Sequence, residues 1–308
     1  MSAFRPTIKE IIHEVEQVVF GKTEIVKMAL SAMPGVAKTI LVRALAVTSG
    51  CSFNRVQCTP DLLPSDVSGV SIFNQKTQEF EFRPGPIFAH VVVADEINRT
   101  TPRTQSAFLE AMSEGQVSVD GNTRKLAQPF LVFATQNPVE HEGTFRLPEA
   151  QLDRFMMKLS VGYPNVVSEM DILERTRLSH PIDSTKAVTD AETISRMQAA
   201  VREIFVHESV REYMVRIVNR TRDSTHLSLG ASPRASIALF RASQAYAAVL
   251  GRGYVIPDDI KKLAWPVLQH RLVLNPESRL RRVTQEGVLR DILKEVAVPA
   301  SNINWKAG

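Results

Sequence analysis

Val91-Val92-Val93-Ala94-Asp95-Glu96 is an apolar, strand-forming run that ends in two adjacent carboxylates. In doubly wound parallel sheets the carboxyl end of a strand is where ligands bind. The surrounding sequence supports such a sheet. Between about residues 36 and 163, apolar strand-like runs alternate with helical patterns, the sequence form of parallel strands joined by crossover helices. Strands are expected at 91–94 and 130–135, helices at 36–49 and 104–113, and hairpins at 69–82 and 114–127, the second turning on Asp120-Gly121. After Tyr163-Pro164 the strand signals fade, and helical periodicity runs through 192–205, 210–221, 233–250, 257–269 and 285–297. The expected fold is an α/β parallel sheet with flanking helices over residues 1–163, followed by a small all-α domain over 164–308.

Composition narrows the function classes. The 37 basic and 33 acidic residues leave a formal charge of only +4, and the densest basic cluster is Arg279, Arg281 and Arg282, so the charge does not argue for nucleic acid. Cys51 and Cys58 lie in an apolar stretch without metal-ligand spacing, which suits reduced core thiols of a cytosolic protein. No apolar run reaches the roughly 18 residues of a membrane span, and the first ten residues resemble neither a signal peptide nor a lipidation site. A cytoplasmic chain without a membrane span is expected.

The chemistry concentrates at the ends of the two best strands. Asp95 suits Mg²⁺, a hard cation, and Glu96 can orient or deprotonate a water attacking phosphorus. Taken alone, the run reads equally well as a buried strand with a solvated acidic turn. Asn137 closes the strand at 130–135 and brings an amide to the same edge, although a turn-forming Asn before Pro138 explains it too. Pro34-Gly35-Val36-Ala37-Lys38-Thr39 resembles the end of a phosphate-binding loop, whose backbone N–H groups, lysine and hydroxyl would cradle phosphates and Mg²⁺. Ala37 and Ala32 stand where the general pattern has glycines. Arg154 in Leu152-Asp153-Arg154-Phe155 and Arg234 in Ser232-Pro233-Arg234 sit at helix edges, where guanidinium groups can stabilise a γ-phosphate.

Taken in order, PGVAKT at 34–39, TPDLLPSDVSG at 59–69, GPIF at 85–88, VVVADEINR at 91–99, QSAFLEAMSEGQV at 105–117, ATQNP at 134–138, LPEAQLDRF at 147–155 and SPRA at 232–235 resemble the MoxR family of AAA+ ATPases. The likeness covers nearly the whole chain. It implies a P-loop AAA+ sheet and helical lid that bind ATP with Mg²⁺. By resemblance, Val19, Phe20 and Gly21 lie over the adenine, with Lys22 where glutamine is usual. Pro34, Gly35, Val36, Ala37, Lys38, Thr39 and Ile40 form the phosphate segment, and Ala37 is ordinary for the family. Thr39 and Asp95 would hold the metal, Glu96 would activate water, Asn137 would be sensor 1, Arg154 the arginine finger and Arg234 sensor 2. The two hairpins resemble the helix-2 insert and the pre-sensor-1 hairpin of this clade. The resemblance further implies a homo-oligomeric, hexameric ring with a chaperone-like role and a von Willebrand A domain partner.

One element is missing. Only sixteen residues separate Gly21 from Lys38, whereas a helix, a connection, a strand and the loop require roughly 25. Three explanations stand open: the sequence as written omits a segment of the protein, the chain is truly shortened and its sheet lacks a central strand, or residues 25–32 switch from helix to strand. A true deletion favours a non-hydrolysing, nucleotide-dependent scaffold over an ATPase. A DNA-engaged motor is a third reading, carried by Arg124 and Lys125 on the hairpin at 114–127, a thin electrostatic footprint with no aromatic stacking residues beside it.

Overall fold

The computed structural model describes residues 2–19, 22–32, 35–36, 39–136, 144–162, 166–175 and 181–299. Helix α1 (Arg5–Glu16) carries a proline in its first turn and buries Ile8, Ile11 and Val15 on one face. It is followed by α2 (Thr23–Ala32), a two-residue β1 (Gly35–Val36), α3 (Thr39–Thr48), β2 (Phe53–Gln57) and α4 (Pro64–Ser68). Next come the hairpin of β3 (Gly69–Asn74) and β4 (Glu79–Pro84), then β5 (Val91–Asp95) and α5 (Pro102–Glu114). A second hairpin, β6 (Gln116–Val119) and β7 (Asn122–Lys125), leads to β8 (Leu131–Ala134), α6 (Glu149–Leu152) and β9 (Met157–Lys158). Both hairpins stand where the sequence places them. Asp120 and Gly121 take positive φ, 51° and 76°, as a tight two-residue turn requires.

β2, β5 and β8 form a parallel sheet in that order, with Val93 facing Arg55 on one side and Phe133 on the other. β5 is buried along its length and serves two cores by strand alternation. Val91 and Val93 pack toward α1, α2 and α3, while Val92 and Ala94 pack under α5.

One of the three explanations for the missing strand is excluded at α2. Residues 25–32 do not switch to strand; they are helical, with Val26 and Ala29 fully buried. Tertiary packing fixes this choice, because the apolar side of α2 lies against α10 of the second half (Pro233–Val249). Gly35 and Val36, expected in the phosphate segment, ladder in parallel with Met157 and Lys158. Among the described residues the helix expected at 36–49 runs from Thr39 to Thr48. β1 lies alongside β8 without laddering to it, so among the described residues β8 has a ladder partner on one edge only. An apolar cavity of about 20 Å³ sits close by, lined by Ala29, Leu45, Cys51, Val91, Leu131 and Phe133.

The second half is helical as expected: α7 (Val166–Arg175), α8 (Ala191–Arg202), α9 (Glu208–Arg222), α10, α11 (Pro257–Leu268), α12 (Pro276–Leu280) and α13 (Gln285–Glu295). Side chains of Asp190, His207, Ser232, Asn275 and Thr284 cap five of them. One small sheet is added to the expectation. β10 (Leu227–Leu229) pairs antiparallel with β11 (Val273–Leu274), strands too short to register as periodicity. The helical half and α1–α3 share one continuous hydrophobic core, and Tyr246 and Lys262 both reach Glu24 on α2, at 3.2 and 3.3 Å. Among the described residues no helix is long and apolar enough to cross a membrane. Cys51 and Cys58 are free and buried. Burial, aided by neighbouring carboxylates, pushes their thiols up to about 11 and about 12.

Candidate active site at the carboxyl edge of the sheet

Asp95 is the last residue of β5 and is almost wholly buried. Its carboxylate gathers three donors. Thr39 Oγ1, at the head of α3, donates to Oδ2 at 3.1 Å, and Arg55 Nε donates to the same oxygen at 2.8 Å. Thr135 Oγ1 donates to Oδ1. Burial alone would raise the Asp95 pKa, but the hydrogen bonds from Thr135, Arg55 and Thr39 outweigh it and hold the carboxyl below its usual range.

Glu96 turns away from Asp95 because its backbone is left-handed, φ 57° and ψ 49°, a conformation that costs a non-glycine residue free energy. Its N–H donates to Thr135 Oγ1 at 2.8 Å, so Thr135 ties the two acidic residues together. Gln57 Nε2 and Arg99 Nη1 donate to Glu96 Oε2 at 3.2 and 3.1 Å. The edge therefore presents one carboxylate beside a hydroxyl at a helix head, and a second carboxylate held to the side.

Val19 is buried just past α1, and Ile40 is half-buried in α3 beside Thr39. Gly35 and Val36 form β1, next to phosphate-segment positions that lie outside the described residues. Arg154 is exposed and turns back on α5 of its own chain, donating to Leu109 O at 3.3 Å and Ser113 Oγ at 3.2 Å. Arg234 is exposed in the first turn of α10. The structure thus brings Thr39, Asp95 and Glu96 to one edge, while Arg154 contacts α5 and Arg234 stands exposed at the head of α10. Phe20, Gly21, Pro34, Ala37, Lys38 and Asn137 lie outside the described residues.

Sequence reasoning missed Arg55, Gln57, Arg99 and Thr135. The signal for the first two was present: Arg55 and Gln57 alternate on β2 and stand in register with Val93 and Asp95 of β5. Among the described residues there is no cluster of three or more His, Cys, Asp or Glu side chains fit for a metal. A cation here would use one carboxylate and one hydroxyl. Both are oxygen donors and fit Mg²⁺, which keeps most of its remaining ligands as water or phosphate. Arg55 shares the same Asp95 oxygen and would have to yield it.

Comparison with known proteins agrees along the chain. The profile of the ATPase family associated with various cellular activities (AAA) matches residues 27–157, and that of the AAA lid domain matches 219–292. The Bacillus subtilis protein YeaC is 50% identical over 305 residues, covering 96% of this chain and 95% of that protein. Chaperone MoxR1 of Mycobacterium tuberculosis is 39% identical over 96% of this chain and 83% of its own length. A crystal structure assigned as an ATPase from Cytophaga hutchinsonii superposes with a TM-score of 0.87 at 35% identity, covering 97% of this chain and 96% of that one.

Proposed function

The chain belongs to the MoxR family of AAA ATPases, and from that premise we propose that it hydrolyses Mg-ATP at the Asp95–Glu96 edge to remodel protein clients. The observation that carries this reading is the Thr39 Oγ1 to Asp95 Oδ2 contact at 3.1 Å, a hydroxyl and a carboxylate converging at a helix head beside the sheet's carboxyl edge.

In this reading Thr39 and Asp95 hold Mg²⁺, which would neutralise phosphate charge when bound. Asp95 stays ionised because its donors hold it so, and Arg55 supplies the countercharge until the cation arrives. Glu96 polarises the attacking water, and release from Gln57 and Arg99 frees its carboxylate to do so. By sequence position, Lys38 neutralises phosphate charge and Asn137 places the water. Val19, Phe20, Gly21, Pro34, Gly35, Val36, Ala37 and Ile40 complete the nucleotide pocket.

Residues 1–163 serve as the ATPase core and 164–308 as the lid. The chain acts in the cytoplasm as a hexameric ring with a von Willebrand A domain partner. Arg154, exposed on its turn, reaches the ATP of the neighbouring subunit, while Arg234 reports on nucleotide from the lid. Glu96→Gln tests the assignment: steady-state phosphate release should fall about 100-fold or more while ATP binding is kept. Unchanged turnover overturns it.

A further inference from the structure

Arg271 and Asp153 form a contact between the lid and the turn that carries Arg154. The Arg271 side chain is only 2% exposed. Nε donates to Asp153 Oδ1 at 2.9 Å, and the two terminal nitrogens donate to the carbonyls of Asp153, Phe155 and Met156 at 3.1, 2.6 and 3.2 Å. A fixed planar fork thus fills the inside of the turn between α6 and β9. Next to it, Gln269 Nε2 donates to Lys158 O on β9 at 2.8 Å. The lid therefore grips both the turn and the strand that follows it.

Asp153 has a second attachment. Its Oδ2 accepts from Ser232 Oγ at 2.7 Å, and Ser232 caps α10 by accepting the Arg234 N–H at 3.1 Å. One carboxylate thus joins the head of α10, which bears Arg234, to the turn whose next residue is Arg154. A lid rotation that moves α10 must carry Asp153 and Arg154 with it or break these bonds.

We propose that Asp153, held by Arg271 and bonded to Ser232, is a positioning device that transmits lid attitude from Arg234 to Arg154 and so sets the reach of Arg154 toward the neighbouring subunit. The inference rests on the roles proposed above for Arg154 and Arg234.

Ser232→Asp separates coupling from folding. An aspartate still caps α10 but sets a like charge against Asp153. The expected result is a fall of about tenfold in kcat for ATP with KM little changed. Combined with Arg154→Ala, the substitution should add no further loss, because the residue it positions is gone. Ser232→Gly, which costs a helix cap little, should give a smaller loss in the same direction, and Ser232→Thr should restore wild-type kcat. Unchanged kcat in both the Asp and Gly variants, or losses that multiply with Arg154→Ala, overturns the inference while leaving the site reading intact. An Arg154→Ala variant with wild-type kcat overturns both.

Discussion

At β1 the chain supplies two strand residues beside a sheet whose central strand has five, and β8 ladders on one edge only among the described residues. At the seam around Arg271, by contrast, a buried guanidinium finds carboxylate and carbonyl acceptors around its whole rim. Both regions lie beside residues expected to face nucleotide, yet among the described residues one is short of ladder partners and the other surrounds its guanidinium with acceptors. A buried polar group costs free energy only when its partners are absent. The lid side therefore acts as a fixed frame, and the loop side depends on it, since α2 is held in place by α10, Tyr246 and Lys262.

This contrast is open to measurement. The largest effect is expected at the seam: Arg271→Met takes a donor from the Asp153 carboxylate and from four carbonyls, those of Asp153, Phe155, Met156 and Val267, and should cost about 3–5 kcal/mol in denaturant unfolding. A loss under 1 kcal/mol would break the comparison. Truncating a fully packed leucine should also cost more than truncating one beside the cavity. Leu263→Ala in α11 is expected to lose about 4 kcal/mol and Leu131→Ala about 2.5 kcal/mol, because the region near Leu131 already tolerates a void.

A smaller effect follows from protonation. Burial, reinforced by Arg271, lowers the His270 pKa to about 3. The unfolded chain then binds this proton near pH 6.5 and the folded chain does not, so stability falls with decreasing pH below about 6.5, by at most about 1.4 kcal/mol per pH unit. Urea midpoints at pH 7, 6 and 5 should drop in sequence, and His270→Gln should flatten the series. The smallest effect separates the thiols. Cys51 lines the cavity and keeps 8% of its surface exposed, whereas Cys58 is fully buried with its thiol pushed up further, so native alkylation at pH 8 should modify Cys51 first. Equal rates would remove the distinction between the two cores.

Much of the fold was legible in the sequence. β5 announced itself because a run of valines can only be buried, and the hairpin at Asp120-Gly121 because its turn needs positive φ. The placement of Asp95 and Glu96 at the sheet's carboxyl edge followed from where such a strand must end. What escaped was set by tertiary contact. Arg55 lies 40 residues from Asp95 and meets it only through the β2–β5 register, while Thr135 acts through a hydroxyl with no pattern of its own. The sixteen residues between Gly21 and Lys38 marked this stretch as too short for a full helix, strand and loop. They could not show that Gly35 and Val36 would pair with β9, since that depends on which free edge lies within reach.

The left-handed backbone at Glu96 has a consequence for how this protein can change. Asn tolerates that conformation better than Glu, so Glu96→Asn relieves strain while removing the carboxylate proposed to act on water. Selection for heat resistance alone would favour the loss of that carboxylate, and selection for turnover would retain it. At this one position stability and activity pull in opposite directions.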